Sequence, residues 1–423
     1  MFKTLTAITD KTRAALRLAS PSAPRASAHQ SRNVPALQGD DPGVLSAELL
    51  DRIGRPLRTD TPELEECRTL LDRGRDLARQ ENWDRLSALI GAADAARACT
   101  AAGTPEAELL AAGARSDLSR ALEEASSAGV LSRNNRMLDG LRAMDEIADE
   151  MPGDPGCAAV VALSHMDAGW AWYKQGWRRG KPEQHLAPFR EAFVRAEEIL
   201  APFDSDSATS PLLASTRCAL LAGQPGADAQ VVTRYETLVT LAPQVPGHMR
   251  AFGLHLLPCW FGSYAALDLA ARRMAAATGE TWGSGAYAWV YFDALLQDAG
   301  ALLALDTGYF VEAVEDILRR HPGQHMVNLF AAGLCQVLAA GRDMPRSQRR
   351  PLEKLRNRLI RSEMTETHGW VWTLTDIGYA TPGSGHDTGP SGAECGARQA
   401  GAALSSVMSR EARRRPVQPS PAP

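Results

Sequence analysis

The chain has 423 residues, 44% of them hydrophobic and 23% charged, the composition of a globular protein long enough for more than one core. A net charge of -4 excludes a global positive field for holding nucleic acid or anionic lipid. No window of about 18 apolar residues is free of charge, so no membrane span is predicted.

Residues 1–57 read as a basic, mostly disordered N-terminal segment. Its first 33 residues carry Lys3, Lys11, Arg13, Arg17, Arg25 and Arg32 against one acid, Asp10, amid frequent Ser and Ala. That composition resembles a transit peptide; the plainer reading is a short basic helix through Phe2, Leu5, Ile8 and Leu16. Residues 19–44, rich in Ser, Pro, Ala and Gly, then read as linker.

Residues 58–128 read as a helical region. Leu64, Cys67, Leu70, Leu71 and Leu77 recur at helical spacing between Pro62 and Gln80, with Glu63, Glu65 and Glu66 placed to complement a helix dipole. Asn82-Trp83 opens a second helix, and Thr104-Pro105-Glu106 starts a third with proline in its first turn. No alternating run of strand length is bounded by turn signals.

Residues 129–378 read as a repeat domain. Proline-bearing breaks occur at MPGDPG (151–156), LAPFDSDS (200–207), LAPQVPGH (241–248) and RHPGQH (320–325), and a weaker one at TGETWGSG (278–285). Leu-Ala-Pro recurs at an offset of 41, and a period near 40 with two helices per unit is the signature of a helical solenoid. His165-x4-Trp170 and His255-x4-Trp260 follow their breaks at similar distances and suggest equivalent helices of two units. The fold class expected is therefore all-α, a solenoid-like array of antiparallel helix pairs with disordered ends.

Paired helices with loop prolines resemble the tetratricopeptide-like superfamily. More narrowly, Leu257-Pro258-Cys259-Trp260-Phe261-Gly262-Ser263-Tyr264, then Leu267, resembles a bacterial helical family of unknown function that carries L-x-P-x-W-G-G-S followed by an apolar residue, usually Met. This chain departs by Phe261 for the first glycine and Leu267 for the methionine. The resemblance implies a helical-repeat fold and supplies no catalytic residues.

The stretch PGHMRAFGLHLLPCWFGSY (246–264) holds two histidines, a cysteine and a tryptophan. Pro258 stops a regular helix, Gly262 permits a tight turn, and Ser263 is placed to cap the next helix, so a packed corner is the plain reading. A metal site of His248, His255 and Cys259 lacks a nearby carboxylate, and Pro322-Gly323 separates His321 from His325, so no metal ligands are assigned. The seven cysteines, Cys67, Cys99, Cys157, Cys218, Cys259, Cys335 and Cys395, form no C-x-x-C. They suit a reducing cytoplasm, and no cofactor is expected.

Aromatic residues gather in HMDAGWAWYKQGW and GAYAWVYFDALL. They read as core, with an aromatic-lined groove for a peptide or small ligand as the alternative. Asp293 interrupts the second stretch and Asp167 the first; each is a general-base candidate or the structural partner of an arginine or tyrosine. Residues 342–361 carry eight basic side chains against Asp343 and Glu353, over a Leu352, Leu355, Leu359 stripe. Arg346, Arg349, Arg350, Arg356 and Arg358 are a solvated face or a dock for an acidic partner. Residues 379–423, ending in RRRPVQPSPAP, read as a disordered tail.

Two functions remain open. One is a non-enzymatic interaction protein with a protein or peptide partner. The other is a ligand-binding domain or enzyme with a polar site among the aromatic helices, for which His165, Trp170, Arg250, His255, Trp260, Tyr291 and Asp293 are the candidates. A closed pocket on which a histidine and a carboxylate converge would favour the second.

Overall fold

Proline and small polar residues set most helix starts. Asp154 Oδ1 accepts from Cys157 N at 2.7 Å ahead of Pro155, and Ser210 Oγ accepts from Leu213 N at 3.1 Å ahead of Pro211. Ser263 caps the helix at Tyr264 through Ala266 N at 3.1 Å, as its sequence position suggests. Pro105 stands one place outside the helix it precedes, which begins at Glu106.

The computed structural model describes residues 42–132, 137–377 and 390–412. It is helical throughout apart from two strands of two residues each. The expected basic helix near Phe2 and the run Arg413 to Arg415 lie outside the described residues. The chain divides into two compact units, whose described parts are Pro62–Leu305 and the combination of 42–61, 306–377 and 390–412.

The first unit contains α2 (Pro62–Arg79), α3 (Trp83–Ala96), α4 (Glu106–Ala128), α5 (Met137–Glu150), α6 (Pro155–Arg178), α7 (Pro182–Leu200), α8 (Pro211–Leu220), α9 (Val231–Leu241), α10 (Pro246–His255), α11 (Tyr264–Ala277), α12 (Gly279–Trp282) and α13 (Gly285–Gln297). Helices α2, α4 and α6 pack in succession, α7 lies along α6, and both α10 and α11 pack on α13. Backbones come very close at two crossings. A Cβ on Gly74 would lie 2.1 Å from Leu110 O, and one on Gly113 the same distance from Leu71 O, so α2 and α4 meet through a reciprocal glycine pair. A Cβ on Gly253 would lie 1.7 Å from Val290 O where α10 crosses α13.

Two α-helices lie between the breaks at 151–156 and 200–207 and two between 200–207 and 241–248, whereas five lie between 241–248 and 320–325. The packing nevertheless runs beyond neighbours. Asp94 on α3 accepts from Leu212 N on α8 at 2.8 Å, and Glu108 on α4 meets His248 on α10 at 3.1 Å. In a strictly linear array each repeat touches only the next, so these contacts fold the early and late helices of this unit onto each other.

The second unit contains α1 (Pro42–Arg52), α14 (Thr307–Arg320), α15 (Gln324–Ala340), α16 (Arg346–Arg358), α17 (Gly369–Ile377) and α18 (Pro390–Ala412). Strand β1 (Leu57–Arg58) pairs in parallel with β2 (Thr367–His368). Buried Asn328 fixes that junction. Its Nδ2 donates to Glu366 O at 3.0 Å, and its Oδ1 accepts from His368 N at 3.0 Å and Trp372 Nε1 at 2.9 Å.

The expectation of disorder throughout 379–423 is corrected at α18. Ala397, Ala400, Leu404 and Val407 make one buried stripe against α1 and α17, which offsets the entropy of ordering an Ala- and Gly-rich segment. Residues 42–57, read as part of a mostly disordered segment, likewise form α1 and the start of β1.

Candidate functional site

Helix α4 is mostly alanine and leucine on its buried side, yet it carries Glu108 and Arg115 two turns apart. Spacing of seven puts both on one face. They border a pocket of about 250 Å³, also lined by Leu163 of α6, Ser215 and Ala219 of α8, Tyr235 and Leu238 of α9, His248 and His255 of α10, and Trp260.

Glu108 Oε1 stands 3.1 Å from His248 Nε2, with their side chains 18% and 5% exposed. Burial pushes the Glu108 carboxyl up, but the hydrogen bond and charge of His248, the Ser215 hydroxyl and the Arg115 guanidinium together hold it below the usual carboxylate range. Glu108 is therefore ionised at neutral pH. Arg115 Nη1 pairs with Asp167 Oδ2, which also accepts from Ser119 Oγ. Arg115 Nε and His248 Nδ1 are both buried with no hydrogen-bond partner among the described residues.

His255 lies two turns along α10 from His248 and lines the same pocket. Its Nδ1 is 3.1 Å from Tyr235 Oη, and the rings of Tyr235, Trp260 and Phe261 surround it at 5.5–5.6 Å. Burial pushes its pKa down to about 4, so the ring is neutral at pH 7. Trp260 also touches Trp170, edge on at 6.1 Å, and Trp170 leads into a cluster with Tyr173, Phe189 and Phe193. The two H-x4-W echoes thus meet through their tryptophans. Cys218 lines the pocket as well, but burial pushes its thiol far up and makes it unreactive.

Of the candidates expected from the sequence, His255 and Trp260 line this pocket and Trp170 packs behind it. The rest are placed elsewhere. His165 Nε2 lies 3.0 Å from Asp145 Oδ1, which also takes Arg195 Nε at 2.9 Å. Arg250 makes a two-pronged pair with Asp293, at 3.0 and 2.9 Å, and lies 5.0 Å over the Phe292 ring. Asp293 is 1% exposed, so it is the structural partner of an arginine and not an accessible base. Tyr291 is wholly buried and donates to Asp268 at 3.3 Å, and burial pushes its phenol well up.

In the second unit, α16 buries Leu352 and Leu355, with Leu359 just beyond, and turns its basic side outward. That side is partly neutralised. Arg349 pairs with Glu353, Arg358 pairs with Glu315 and Glu363, and Arg356 donates to Asn357. Arg346 and Arg350 are exposed.

Glu108, Arg115 and the pairing role of His248 were not legible from the sequence. The available signal was Glu108 and Arg115, two turns apart at either end of the apolar run LLAAGA. Among the described residues no group of three or more His, Cys, Asp or Glu side chains is arranged to hold a metal ion. Among the described residues no helix is long and apolar enough to cross a membrane. No family model matches the chain, and no curated protein or solved structure matches it.

Proposed function

We propose that the first unit binds a small organic molecule in the pocket between α4, α6, α8, α9 and α10. One observation carries this: a pocket of about 250 Å³ brings the polar side chains of Glu108, Arg115, His248 and His255 to one cavity. Leu163, Leu238 and Trp260 supply apolar wall for the body of such a molecule. Ionised Glu108 and neutral His255 add an acceptor-rich rim, and nothing in the pocket is an activated nucleophile, so binding is the reading adopted.

The hairpins between proline breaks support a tetratricopeptide-like descent, with the array bent until α4 reaches α10. The seven free cysteines support a reducing, cytoplasmic setting. A protein or peptide partner, the other expectation, draws support from the outward arginines of α16 and returns as the leading reading if the pocket binds nothing.

The test is a ligand-observed NMR fragment screen against the full chain and its Ala219→Phe variant, whose added ring occupies the pocket. Fragments that bind the parent and lose binding in a variant with an unchanged circular dichroism spectrum support the proposal. An absence of binders, or binders indifferent to Ala219→Phe, overturns it.

A further inference from the structure

The class of molecule the pocket takes follows from His255, from the charge around the cavity and from its size, and this inference rests on the pocket reading above. His255 is the polar side chain best placed to meet an occupant. It is half-buried and lines the pocket, whereas Arg115 Nε and His248 Nδ1 are wholly enclosed. Its Nδ1 is engaged by Tyr235 Oη at 3.1 Å. Its Nε2 has no hydrogen-bond partner among the described residues and is not one of the enclosed nitrogens. With Tyr235, Trp260 and Phe261 packed around the ring, the pocket is where its remaining surface opens.

Charge argues against ions. Glu108 and Asp167 are set against Arg115 and His248, a group whose charges sum to zero with His248 protonated and to minus one with it neutral. In neither state is positive charge left over to hold an anion, which would enter a low-dielectric cavity uncompensated. A cation fares no better beside His255, because burial already drives that resident imidazole to its uncharged form.

Size and hydrogen bonding narrow the class further. A dry cavity of about 150 Å³ admits benzene, so one of about 250 Å³ admits two fused rings. Leu163, Leu238, Leu254 and the indole of Trp260 give those rings apolar wall. The Tyr235 hydroxyl can donate to His255 Nδ1 or accept from it, so Nε2 is a donor in one tautomer and an acceptor in the other. A hydroxyl both donates and accepts, and therefore pairs with Nε2 in either tautomer.

We infer that the pocket takes an uncharged molecule of about two fused rings carrying one hydroxyl. Its rings lie against Trp260, Leu163 and Leu238, and its hydroxyl is hydrogen-bonded to His255 Nε2.

Four probes on one ring system separate the possibilities: 2-naphthol, 2-methylnaphthalene, the 2-naphthoate anion and the 2-naphthylmethylammonium cation. Their affinities for the full chain are measured by fluorescence titration at pH 7, and the imidazole nitrogen shifts of His255 by NMR. The naphthol is expected to bind at least about tenfold more tightly than either ion. His255→Phe, checked for an unchanged circular dichroism spectrum, is expected to weaken the naphthol about tenfold, because its hydroxyl is then enclosed without a partner, and to leave 2-methylnaphthalene within about threefold. In the parent protein the Nε2 resonance is expected to move with naphthol well beyond the change that 2-methylnaphthalene causes. That measurement decides the hydrogen bond even if His255→Phe does not fold.

Tighter binding of either ion, equal losses of naphthol and 2-methylnaphthalene in a folded His255→Phe, or an Nε2 resonance that responds alike to both overturns the inference. So does an absence of binding by all four probes. If other fragments still occupy the pocket and lose it in Ala219→Phe, the ligand class fails while the binding function stands. If no fragment does, both fall.

Discussion

Glu108 and His248 are separated by 140 residues of chain and joined by a 3.1 Å contact that is almost completely enclosed. The pair ties the first full turn of α4 to the first turn of α10, and it forms one wall of the pocket. Removing one member leaves the other buried and unmatched. Glu108→Ala is expected to cost about 3 kcal/mol, while Glu108→Ala with His248→Phe should cost less than the sum of the single changes. Denaturant unfolding of the three variants measures this, and strict additivity would mean that the two groups do not couple.

The glycine at the α10–α13 crossing should be intolerant of any side chain. A Cβ at Gly253 would stand 1.7 Å from Val290 O, and that atom belongs to a helix backbone with little freedom to yield. Gly253→Ala is expected to lower stability by about 3 kcal/mol despite alanine's better helix propensity. Thermal unfolding that shows no fall in Tm would contradict the closeness of this crossing.

His255 makes a prediction about pH. Its folded pKa of about 4 lies below the unfolded value of about 6.5, so between these limits the unfolded chain binds the proton more readily. Its contribution is complete above the unfolded pKa and is lost as pH falls towards the folded one, with a slope of at most about 1.4 kcal/mol per pH unit. His165 and His185, also lowered by burial, add in the same direction. Comparing the parent with His255→Gln between pH 6.5 and 5 isolates the effect, because the lowered carboxylates Glu108 and Glu123 release their contribution only at lower pH. Parallel stability profiles for the two proteins would count against a buried neutral His255.

The Arg250–Asp293 pair should respond asymmetrically to substitution. Asp293 is 1% exposed and the Arg250 side chain 19%. Arg250→Leu strands a carboxylate in the core and is expected to cost about 3–5 kcal/mol; Asp293→Asn keeps hydrogen-bonding capacity and should cost less. Equal losses would argue that the arginine contributes only its alkyl packing.

Local signals were readable in the chain; distant partnerships were not. Pro152, Pro202, Pro243 and Pro322 each mark a real interruption between helices, and Ser263 is a real cap. Gly262 is required because a Cβ there would lie 2.3 Å from Leu256 O, a reason of close approach more than of turn geometry. Helix α18 escaped notice because its Ala, Gly and Ser content reads as linker. Yet Ala397, Ala400, Leu404 and Val407 already carry the spacing of a helical face. The β1–β2 pair joins Leu57 to Thr367 with two residues a side, too short for any alternation to show. For the site, His255 and Trp260 were accessible to sequence reasoning, whereas Glu108 gains its meaning from His248, 140 residues on, and Arg115 from Asp167, 52 residues on.

The second unit is discontinuous, with residues 42–61 belonging to the same body as 306–377 and 390–412. During synthesis β1 leaves the ribosome some 300 residues ahead of the strand it pairs with, while the intervening 62–305 can fold as it emerges. The pocket is therefore encoded in one uninterrupted segment, and every residue that borders it is translated before the other body has its C-terminal half.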